Sequence, residues 1–386
     1  MFVRANNLTS YVRLDGPPGA MPLLMIHSLG TSGAIWDEQA ASLAGPFRII
    51  RPDLRGHGIS ELTPGPYTVA RLAQDMLALL DHLEVERVHV AGISIGGLIA
   101  QSLAAQAPGR VASLMLVATA LTIPSAESWI ERAALVRREG IAPVLDMALS
   151  RWVSPAFLDH PMADGLRAML ARTTPEGYAA GCEALAEADL TETTQRLTVP
   201  ALVLSGERDV ATPPAAGRAL HEALAGSRFV VLPGASHTPS VEYAEAVTNA
   251  LRKFLQPETE DRHEAGTAMR RSVLGDEYVD RAIARTTPFD REFQAFLTRV
   301  AWGGVWARPQ LTPRERCLIS IALMAALGHD HELRVLMRAC RATGASPQDV
   351  SETLMHTGVY AGMPAANSAM RIAKETVGRE PSELQD

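Results

Sequence analysis

The segment G-I-S-I-G at residues 92–96 is the strongest chemical signal in the chain. The run VHVA before it is rich in β-branched residues and predicts a strand, and the apolar-periodic run that begins at Gly97 predicts a helix. A serine on such a sharp strand-to-helix turn holds its hydroxyl above the edge of a sheet, and the flanking glycines let the backbone turn that tightly. The pattern therefore predicts that Ser94 is a nucleophile.

A histidine and a carboxylate follow at positions that could activate this serine. One buried-type strand ends just before Glu207 and Asp209, and the next ends just before His237. Sites in open α/β sheets lie at the carboxyl ends of the strands, so these side chains are expected to meet Ser94 there. Ser94 would attack a carbonyl, His237 would accept its proton, and a carboxylate would orient the imidazole and stabilise its charge.

Two backbone N–H groups are candidates for an oxyanion hole. Leu29 follows the predicted strand at residues 23–26, and Ile95 comes directly after the predicted nucleophile. Donors at these two points would stabilise the negative charge that develops on the attacked carbonyl oxygen. Dehalogenases and epoxide hydrolases need a carboxylate nucleophile at this turn, so Ser94 excludes those two classes.

Length and composition restrict the remaining classes. The 386 residues favour two domains, and the content of 47% hydrophobic and 20% charged residues favours a folded globular protein. The net charge of −7, without a basic run, argues against a nucleic-acid partner. No signal core near Met1 and no membrane-length apolar run is found, so the cytoplasm is the expected location. Cys182, Cys317 and Cys340 show neither disulfide nor metal-site spacing, so no metal is expected.

Alternating strand and helix patterns predict an α/β domain with a mostly parallel sheet over residues 1–256. Only helical patterns occur at about residues 121–197, which predicts a helical cap over the nucleophile. The predicted cap helices are at residues 128–138, 142–152, 161–172 and 174–185. The proline-led polar segment 257–264 is interpreted as a linker. Residues 265–386 show helical patterns alone, with a capping box at Thr312, and are predicted to form a separate all-α domain with its own core.

The first domain resembles the α/β-hydrolase fold and, more narrowly, the 3-oxoadipate enol-lactonases. The segments that carry the resemblance are HSLGT at 27–31, Trp36, RPDLRGHG at 51–58, the turn at Ser94, Arg151 with Trp152, and GASH at 234–237. The resemblance favours Asp209 over Glu207 as the acid that orients the histidine, because Asp209 stands in a G-x-x-D pattern common in the superfamily. We interpret His27, Asp53 and His57 as structural residues.

The enol-lactonase resemblance implies a small-molecule lactone substrate with a free carboxylate. Arg132 and Arg151 in the predicted cap are the best-placed cations for that carboxylate, and Trp152 would pack against the lactone ring. An enol-lactone is an ester with a good leaving group, so Ser94 could open it by acyl transfer and no cofactor is expected.

Residues 265 to about 380 resemble the 4-carboxymuconolactone decarboxylases. The segments that carry this resemblance are RRSVLGDEYV at 270–279, FQAF at 293–296, WGGVWARP at 302–309 and HTGVYAGMPAAN at 356–367. The two families catalyse consecutive steps of protocatechuate breakdown and fused versions are known, so each half supports the other. The resemblance also implies a homo-oligomer, either a trimer or a multiple of one.

The decarboxylation that this resemblance implies needs no cofactor. The electron pair left behind by CO2 can delocalise through a C=C bond into the lactone carbonyl, so the protein need only stabilise an enolate and deliver a proton. His356 and Tyr360 share a helix face and would supply the proton and a hydrogen bond, or are simply packed helix residues. Arg308 and Arg316 would hold a substrate carboxylate, or form surface ion pairs.

One position departs from the decarboxylase pattern. The family usually has a histidine in E-L-x-x-H-x-R, whereas this chain reads ELRVLMR at 332–338, with Leu336 in that place. Leucine cannot relay a proton, so decarboxylation is expected to be impaired unless His329 or His331 compensates. Related peroxidases use C-x-x-C, which this chain lacks, so thiol redox chemistry is disfavoured. The alternative is an esterase or lactonase whose second domain serves assembly or ligand binding.

Overall fold

A computed structural model describes residues 1–255 and 257–376, which form two compact units that divide after Leu255. Gln256, the predicted end of the first domain, and residues 377–386 of the predicted second domain lie outside the described residues. No helix in the described part of the chain is long and apolar enough to cross a bilayer.

An eight-stranded sheet forms the centre of the first unit. Its strands are β1 (Phe2–Ala5), β2 (Leu8–Asp15), β3 (Met21–Ile26), β4 (Phe47–Pro52), β5 (Val88–Ile93), β6 (Val111–Val117), β7 (Ala201–Gly206) and β8 (Arg228–Leu232). Their order across the sheet is β1-β2-β4-β3-β5-β6-β7-β8. Strand β2 pairs antiparallel with β1 and with β4, and the other neighbours run parallel. The predicted mostly parallel sheet is therefore confirmed.

Helices surround this sheet, and its central strands are accordingly buried almost throughout. Such strands read as continuous apolar runs because neither face meets water. The helices are α1 (Asp37–Leu43), α2 (Val69–His82), α3 (Ile95–Gln106), α4 (Ala126–Glu139), α5 (Leu145–Trp152), α6 (Pro161–Arg172), α7 (Pro175–Glu187), α8 (Thr191–Gln195), α9 (Pro214–Ala223), α10 (Pro239–Glu242) and α11 (Ala244–Leu255). Short 3-10 turns occur at Gly33–Trp36, Pro108–Arg110, Ala142–Val144 and Pro155–Phe157.

Helices α4 to α8 lie in sequence between β6 and β7, in the region predicted to form the cap. Ser125 begins α4 and Thr174 begins α7, since each side chain accepts a hydrogen bond from a backbone N–H three residues later. The segment predicted as one helix at 142–152 divides into a 3-10 turn and α5, and the short helix α8 was not predicted. A five-residue helix is too short for its periodicity to be recognised.

The second unit contains only helices in its described residues. They are α12 (Pro257–Leu274), α13 (Asp276–Ala284), α14 (Arg291–Leu297), a π-helical segment (Thr298–Trp306), α15 (Pro313–Leu327), α16 (Asp330–Thr343), α17 (Pro347–Ala361) and α18 (Met363–Thr376). Its buried core is formed by Cys317, Ile321, Ala325, Leu333, Met337, Cys340, Ala345, Val350, Leu354, Ala369, Ile372 and Ala373. The core thus draws on α15 to α18 and on the turn between α16 and α17.

The helix boundaries of this unit follow local sequence signals. Thr312 and Glu315 form a capping box at the start of α15, and Ser346 begins α17 in the same way. Helices α15 and α16 end at Gly328 and Gly344, whose φ angles of 73° and 81° are left-handed and suit glycine.

Residues 257–264, the predicted linker, are helical in the structure and form the first turns of α12. Pro257 occupies the first helical position, where its missing N–H removes no helical hydrogen bond and its fixed φ suits the helix. No glycine or second proline interrupts the chain before Gly266. Polar composition alone did not distinguish a polar helix from a loop.

Candidate active site

Ser94 lies on a turn that joins β5 directly to α3. Its φ of 57° and ψ of −121° are strained for a residue with a side chain. Two contacts hold the turn, since the N–H of Ser94 donates to the carbonyl of Val117 at 3.0 Å and the hydroxyl of Thr119 donates to the carbonyl of Ser94 at 2.7 Å. A side chain at Gly96 would overlap the carbonyl oxygen of Ile26, so glycine is required for α3 to approach β3 this closely.

His237 lies between Ser94 and Asp209. Its Nε2 is 3.0 Å from the Oγ of Ser94, and its Nδ1 is 2.8 Å from the Oδ2 of Asp209. All three side chains are buried. With the proton on Nδ1, the imidazole donates to Asp209 and accepts from the Ser94 hydroxyl, which is the arrangement required for a general base.

The carboxylate of Asp209 is held by its own loop. Its Oδ1 accepts the N–H groups of Ala211 and Thr212 at 2.8 and 2.9 Å, and its Oδ2 accepts the Thr212 hydroxyl at 2.7 Å. Burial alone would raise the pKa of Asp209, but His237 and the hydrogen bonds from Thr212 outweigh it and lower the pKa below its ordinary value. Glu207, the competing acid, is exposed and accepts the N–H of Gly234 at 2.8 Å.

The two candidate oxyanion donors come from two different turns. One turn follows β3, and the other leads into α3. Ile95 is the first residue of α3, and the first N–H groups of a helix have no intrahelical acceptor. Leu29 follows β3 and lines the cavity above Ser94. The neighbouring Gly30 has a φ of 72°, and a side chain there would overlap Leu170 and Tyr178 of the cap.

His27 and His57 are structural in the first unit. The Nε2 of His27 accepts the N–H of Leu54 at 2.8 Å, and its Nδ1 lies 2.7 Å from the carbonyl of Ser28. Burial lowers the pKa of both imidazoles to about 4, so they are neutral at physiological pH. The carboxylate of Asp53 accepts the N–H groups of Gly33 and Ile59 at 2.9 and 3.1 Å, and the guanidinium of Arg13 lies 3.9 Å from its Oδ1.

A cavity of about 290 Å³ opens above Ser94 and His237. Its wall is formed mainly by cap residues, which are Trp129, Arg132, Ala148, Arg151, Trp152, Tyr178 and Leu185. The structure therefore brings the predicted cap residues Arg132, Arg151 and Trp152 to the same cavity as the serine. A cavity of this size admits a small ligand.

Arg132 and Arg151 face this cavity without an acidic partner among the described residues. The guanidinium of Arg132 lies 4.4 Å from the ring centre of Trp129, which is a cation–π contact. Arg137, on the same helix as Arg132, is instead paired with Glu176 and Glu183. The two cavity arginines thus remain available to an anionic ligand.

Tyr178 and Trp129 are cavity residues that the sequence analysis missed. Tyr178 is enclosed, and burial raises the pKa of its phenol to about 12, so the hydroxyl stays protonated. It lies on α7, whose small apolar residues gave a core pattern and no sign of a site. No local signal distinguishes such a tyrosine from a packing residue.

In the second unit, His356 and Tyr360 are adjacent on α17, with ring centres 4.9 Å apart. Both side chains are exposed, and Tyr360 retains 80% of its accessible surface. They line an open depression of about 350 Å³ together with Ala322, Leu323 and Ala326 of α15. The predicted pair therefore lies on an apolar surface, where water reaches both rings.

Arg308 and Arg316 form a separate pair. A terminal N–H of Arg316 donates to the backbone carbonyl of Arg308 at 2.9 Å, and the guanidinium of Arg308 is exposed and reaches Gln310 at 3.4 Å. Arg316 is buried, and its Nε has no hydrogen-bond partner in the described part of the chain. An unpartnered buried donor of this kind is available to a further acceptor.

The two units match different protein families. A family model described as the alpha/beta hydrolase fold matches residues 21–138, and one described as TAP-like protein matches residues 175–267. The model of the carboxymuconolactone decarboxylase family matches residues 291–375.

Individual relatives divide in the same way. The 3-oxoadipate enol-lactonase 2 of Acinetobacter baylyi is 38% identical over 254 residues, which are 65% of this chain and 93% of the relative. The 4-carboxymuconolactone decarboxylase of the same organism is 41% identical over 116 residues, which are 30% of this chain and 87% of the relative. The crystal structure of the enol-lactonase from Burkholderia xenovorans LB400 is 39% identical with a TM-score of 0.65, and the match covers 66% of this chain and 99% of that one.

The chain belongs to the enol-lactonase family and to the carboxymuconolactone decarboxylase family. It is an enzyme in which an α/β-hydrolase precedes an all-helical decarboxylase domain, and the predicted fold class and family resemblance are confirmed.

Within the decarboxylase domain, Leu336 packs against the buried core. Its backbone carbonyl accepts from the Sγ atoms of both Cys317 and Cys340, which lie 4.0 Å apart. This thiol pair could not be predicted from cysteine spacing, because the two cysteines lie on different helices, α15 and α16. Both thiols are enclosed in the core of this unit. His329 and His331 are exposed at the start of α16.

Proposed function

We propose that this protein opens 3-oxoadipate enol-lactone with its first unit and decarboxylates 4-carboxymuconolactone with its second. The product of the decarboxylation is the substrate of the lactonase, so one chain carries two consecutive reactions. The membership of the two units in the corresponding families supports this pairing.

In the hydrolase reaction, the Oγ of Ser94 attacks the lactone carbonyl while His237 accepts its proton. The N–H groups of Leu29 and Ile95 stabilise the tetrahedral oxyanion. The bond to the ring oxygen then breaks, His237 protonates the departing enolate oxygen, and the resulting enol tautomerises to a ketone. Water activated by His237 hydrolyses the acyl-enzyme, and Asp209 stabilises the imidazolium in both stages.

One observation carries this proposal: Ser94, His237 and Asp209 open into a cavity with two arginines that have no acidic partner among the described residues. A serine nucleophile with a general base suits an ester or lactone, and unpaired guanidinium groups suit a carboxylate. 3-Oxoadipate enol-lactone has both groups. Its carboxylate would bind Arg132 or Arg151, and its ring would pack against Trp152.

In the decarboxylase reaction, the C–C bond to the departing carboxylate breaks and its electron pair moves through the adjacent C=C bond into the lactone carbonyl. The resulting enolate then takes a proton on carbon. His356 and Tyr360, whose rings are in contact, are the proposed proton source and hydrogen-bond donor. Arg316 and Arg308 are proposed to hold a substrate carboxylate, because Arg316 is buried and its Nε has no hydrogen-bond partner in the part of the chain that the structure describes.

The helical unit is proposed to form a homo-oligomer, a trimer or a multiple of one. Large apolar side chains are exposed around His356 and Tyr360, namely Leu323, Leu327, Met355, Val359 and Met363. Covering them would remove apolar surface from water and would shield the proposed decarboxylase site. Light scattering at micromolar concentration tests this, and a monomer would contradict it.

The two units are proposed to be separable domains with boundaries at residues 1–256 and 265–386. Each has its own buried core, which supports independent folding. A protein truncated after Leu255 should be soluble and retain lactone hydrolysis. Aggregation or loss of that activity would mean that the first unit depends on the second.

The alternative is an esterase or lactonase whose helical unit lacks catalysis and serves assembly or ligand binding. The leucine at position 336 and the exposure of His356 and Tyr360 favour it. Supplying purified protein with 4-carboxymuconolactone, and measuring CO2 release and enol-lactone consumption separately, decides between the two. Release of CO2 supports the two-activity enzyme, and lactone hydrolysis without CO2 release supports the alternative.

A further inference from the structure

The loop that carries His237 is tied to the cap on both sides of the histidine. After it, the N–H of Thr238 donates to the backbone carbonyl of Trp152 at 2.8 Å. Before it, the N–H of Ser236 donates to the Oε2 of Glu242 at 3.4 Å. The other oxygen of the same carboxylate, Oε1, accepts the N–H of Ser154 at 3.1 Å. Glu242 therefore bridges the histidine loop and the segment that follows α5.

These contacts connect the substrate-binding wall of the proposed hydrolase site to the loop that carries His237. Helix α5 ends at Trp152 and carries Arg151, and both residues line the cavity. Ser154 and Ser236 are buried and Glu242 is partly buried, so the bridging contacts are only partly open to water, which strengthens them. A displacement of the C-terminal end of α5 would therefore move the backbone beside His237. The displacement is transmitted by the Thr238–Trp152 hydrogen bond and by the Glu242 bridge.

We propose that Glu242 is a positioning residue that couples the substrate-binding cap to the proton-transfer histidine. This inference rests on the proposed hydrolase function. The carboxylate holds the end of α5 and the loop of His237 at a fixed separation, so that a substrate seated against Arg151 and Trp152 has its carbonyl within reach of Ser94 while the imidazole is aligned. The binding energy of the remote carboxylate is thereby expressed in kcat.

Ser154→Pro is the most selective test of this contact. Ser154 has φ −68°, which a proline can adopt, and Val153 before it has φ −131° and ψ 160°, which suit a residue that precedes proline. The substitution deletes the N–H that donates to Glu242 and leaves the path of the backbone intact. Ser154→Ala keeps that N–H and is the matched control.

Glu242→Gln tests the bridge from its other end, because an amide has one accepting oxygen where two donors must be satisfied. Glu207→Gln is its matched control. It makes the same chemical change in a carboxylate that accepts from Gly234 of the same loop and has no bond to the cap in the described structure.

The measured quantity is the ratio of kcat for 3-oxoadipate enol-lactone to kcat for p-nitrophenyl acetate, a neutral ester without a remote carboxylate. We expect Ser154→Pro and Glu242→Gln to lower this ratio on the order of 10–100-fold, the cost of a misplacement of about 1 Å at the reacting atoms. Both controls should keep the wild-type ratio. A merely structural role would lower thermal stability or both kcat values together and leave the ratio unchanged.

The inference is overturned if the ratio is unchanged in Ser154→Pro and Glu242→Gln, or if the controls lower it equally. Circular dichroism identifies a variant that does not fold, and the other variant of the pair then decides. Failure of the proposed function has a different signature: the wild-type protein would not open the lactone, and Ser94→Ala would change nothing.

Discussion

The guanidinium of Arg55 binds the carboxylate of Asp75 through two hydrogen bonds of 2.9 and 2.5 Å, and both side chains are buried. Asn6 donates to the same carboxylate at 2.7 Å, and Arg55 also donates to Thr63 at 2.6 Å. Arg55 follows β4 and Asp75 lies on α2, so this pair fixes the segment that contains Arg55 and His57 against α2. Because both side chains are buried, removing one of them would leave the other as an unpaired buried charge.

Asp75→Ala should therefore lower the free energy of unfolding by about 3–5 kcal/mol, because it leaves the Arg55 charge buried and unpaired. Asp81→Ala is the control, since Asp81 pairs with Arg110 at an exposed position and its loss should cost no more than about 1 kcal/mol. Urea denaturation of both variants measures the difference. Equal losses of unfolding free energy would mean that the buried pair stabilises the fold no more than the exposed pair does.

Ser94→Ala should abolish opening of the enol-lactone and leave CO2 release from 4-carboxymuconolactone intact. Loss of the nucleophile in a serine relay costs up to about 10⁶-fold in kcat. The enol-lactone should then accumulate and can be followed by its absorbance. Normal hydrolysis by this variant would remove Ser94 from the mechanism.

Asp209 should make the stability of the first unit sensitive to acid. Its pKa in the folded protein lies below the ordinary value of 3.8, so the unfolded chain binds the proton more readily. The stabilisation is therefore complete above about pH 4 and is lost as the pH falls through the folded pKa. Wild type and Asp209→Asn should converge in urea stability between pH 5 and pH 2. A constant difference over that range would contradict the ionised carboxylate.

Substitution of the cap arginines should raise KM for an acidic substrate more than KM for a neutral one. Arg132→Gln and Arg151→Gln should raise KM for the enol-lactone at least about tenfold more than for p-nitrophenyl acetate, because a charge-assisted contact is worth about 1.5–3 kcal/mol. Arg138→Gln is the control, since Arg138 is exposed and paired with Glu139. Equal effects on the two substrates would eliminate the carboxylate role.

Leu336→His should raise CO2 release from 4-carboxymuconolactone if an imidazole is missing at this position. A general acid–base group typically contributes about 10²–10⁴-fold, so even partial restoration is measurable. His329→Gln and His331→Gln belong in the same assay. If wild type already matches its lactonase rate and only these two variants slow it, the proton is transferred from the start of α16.

The proximity of Ser94, Asp209 and His237 could be predicted because each follows directly after a strand of one parallel sheet. Strand ends are set by local patterns, and parallel pairing brings them to a common edge. Tyr178 could not be found in this way, since its place in the cavity depends on how α7 packs over the loop of Leu29. The contact between Cys317 and Cys340 arises equally from the packing of two helices, α15 and α16.

The helical conformation of residues 257–264 was not predicted, for a related reason. Composition reports how polar a segment is, whereas a helix start depends on the position of a single residue, here Pro257. The region predicted to form the cap contains helices, but their individual boundaries differ from the predicted ones. Helices α4, α6 and α7 begin at a capping side chain, whereas α5 and α8 have none. The short α8 is instead stabilised by a tertiary hydrogen bond between Thr194 and Gln101 of α3.

Asp209 and His237, the proposed acid and base of the hydrolase site, are anchored to different parts of the first unit. Asp209 is held by residues of its own loop, whereas the N–H beside His237 donates to the backbone carbonyl of Trp152 at the end of α5. A cap exchanged with that of a relative leaves the acid undisturbed but replaces one support of the base. A grafted cap must therefore place the backbone carbonyl of its residue 152 within hydrogen-bond distance of the N–H of Thr238. The side chain at that position can differ.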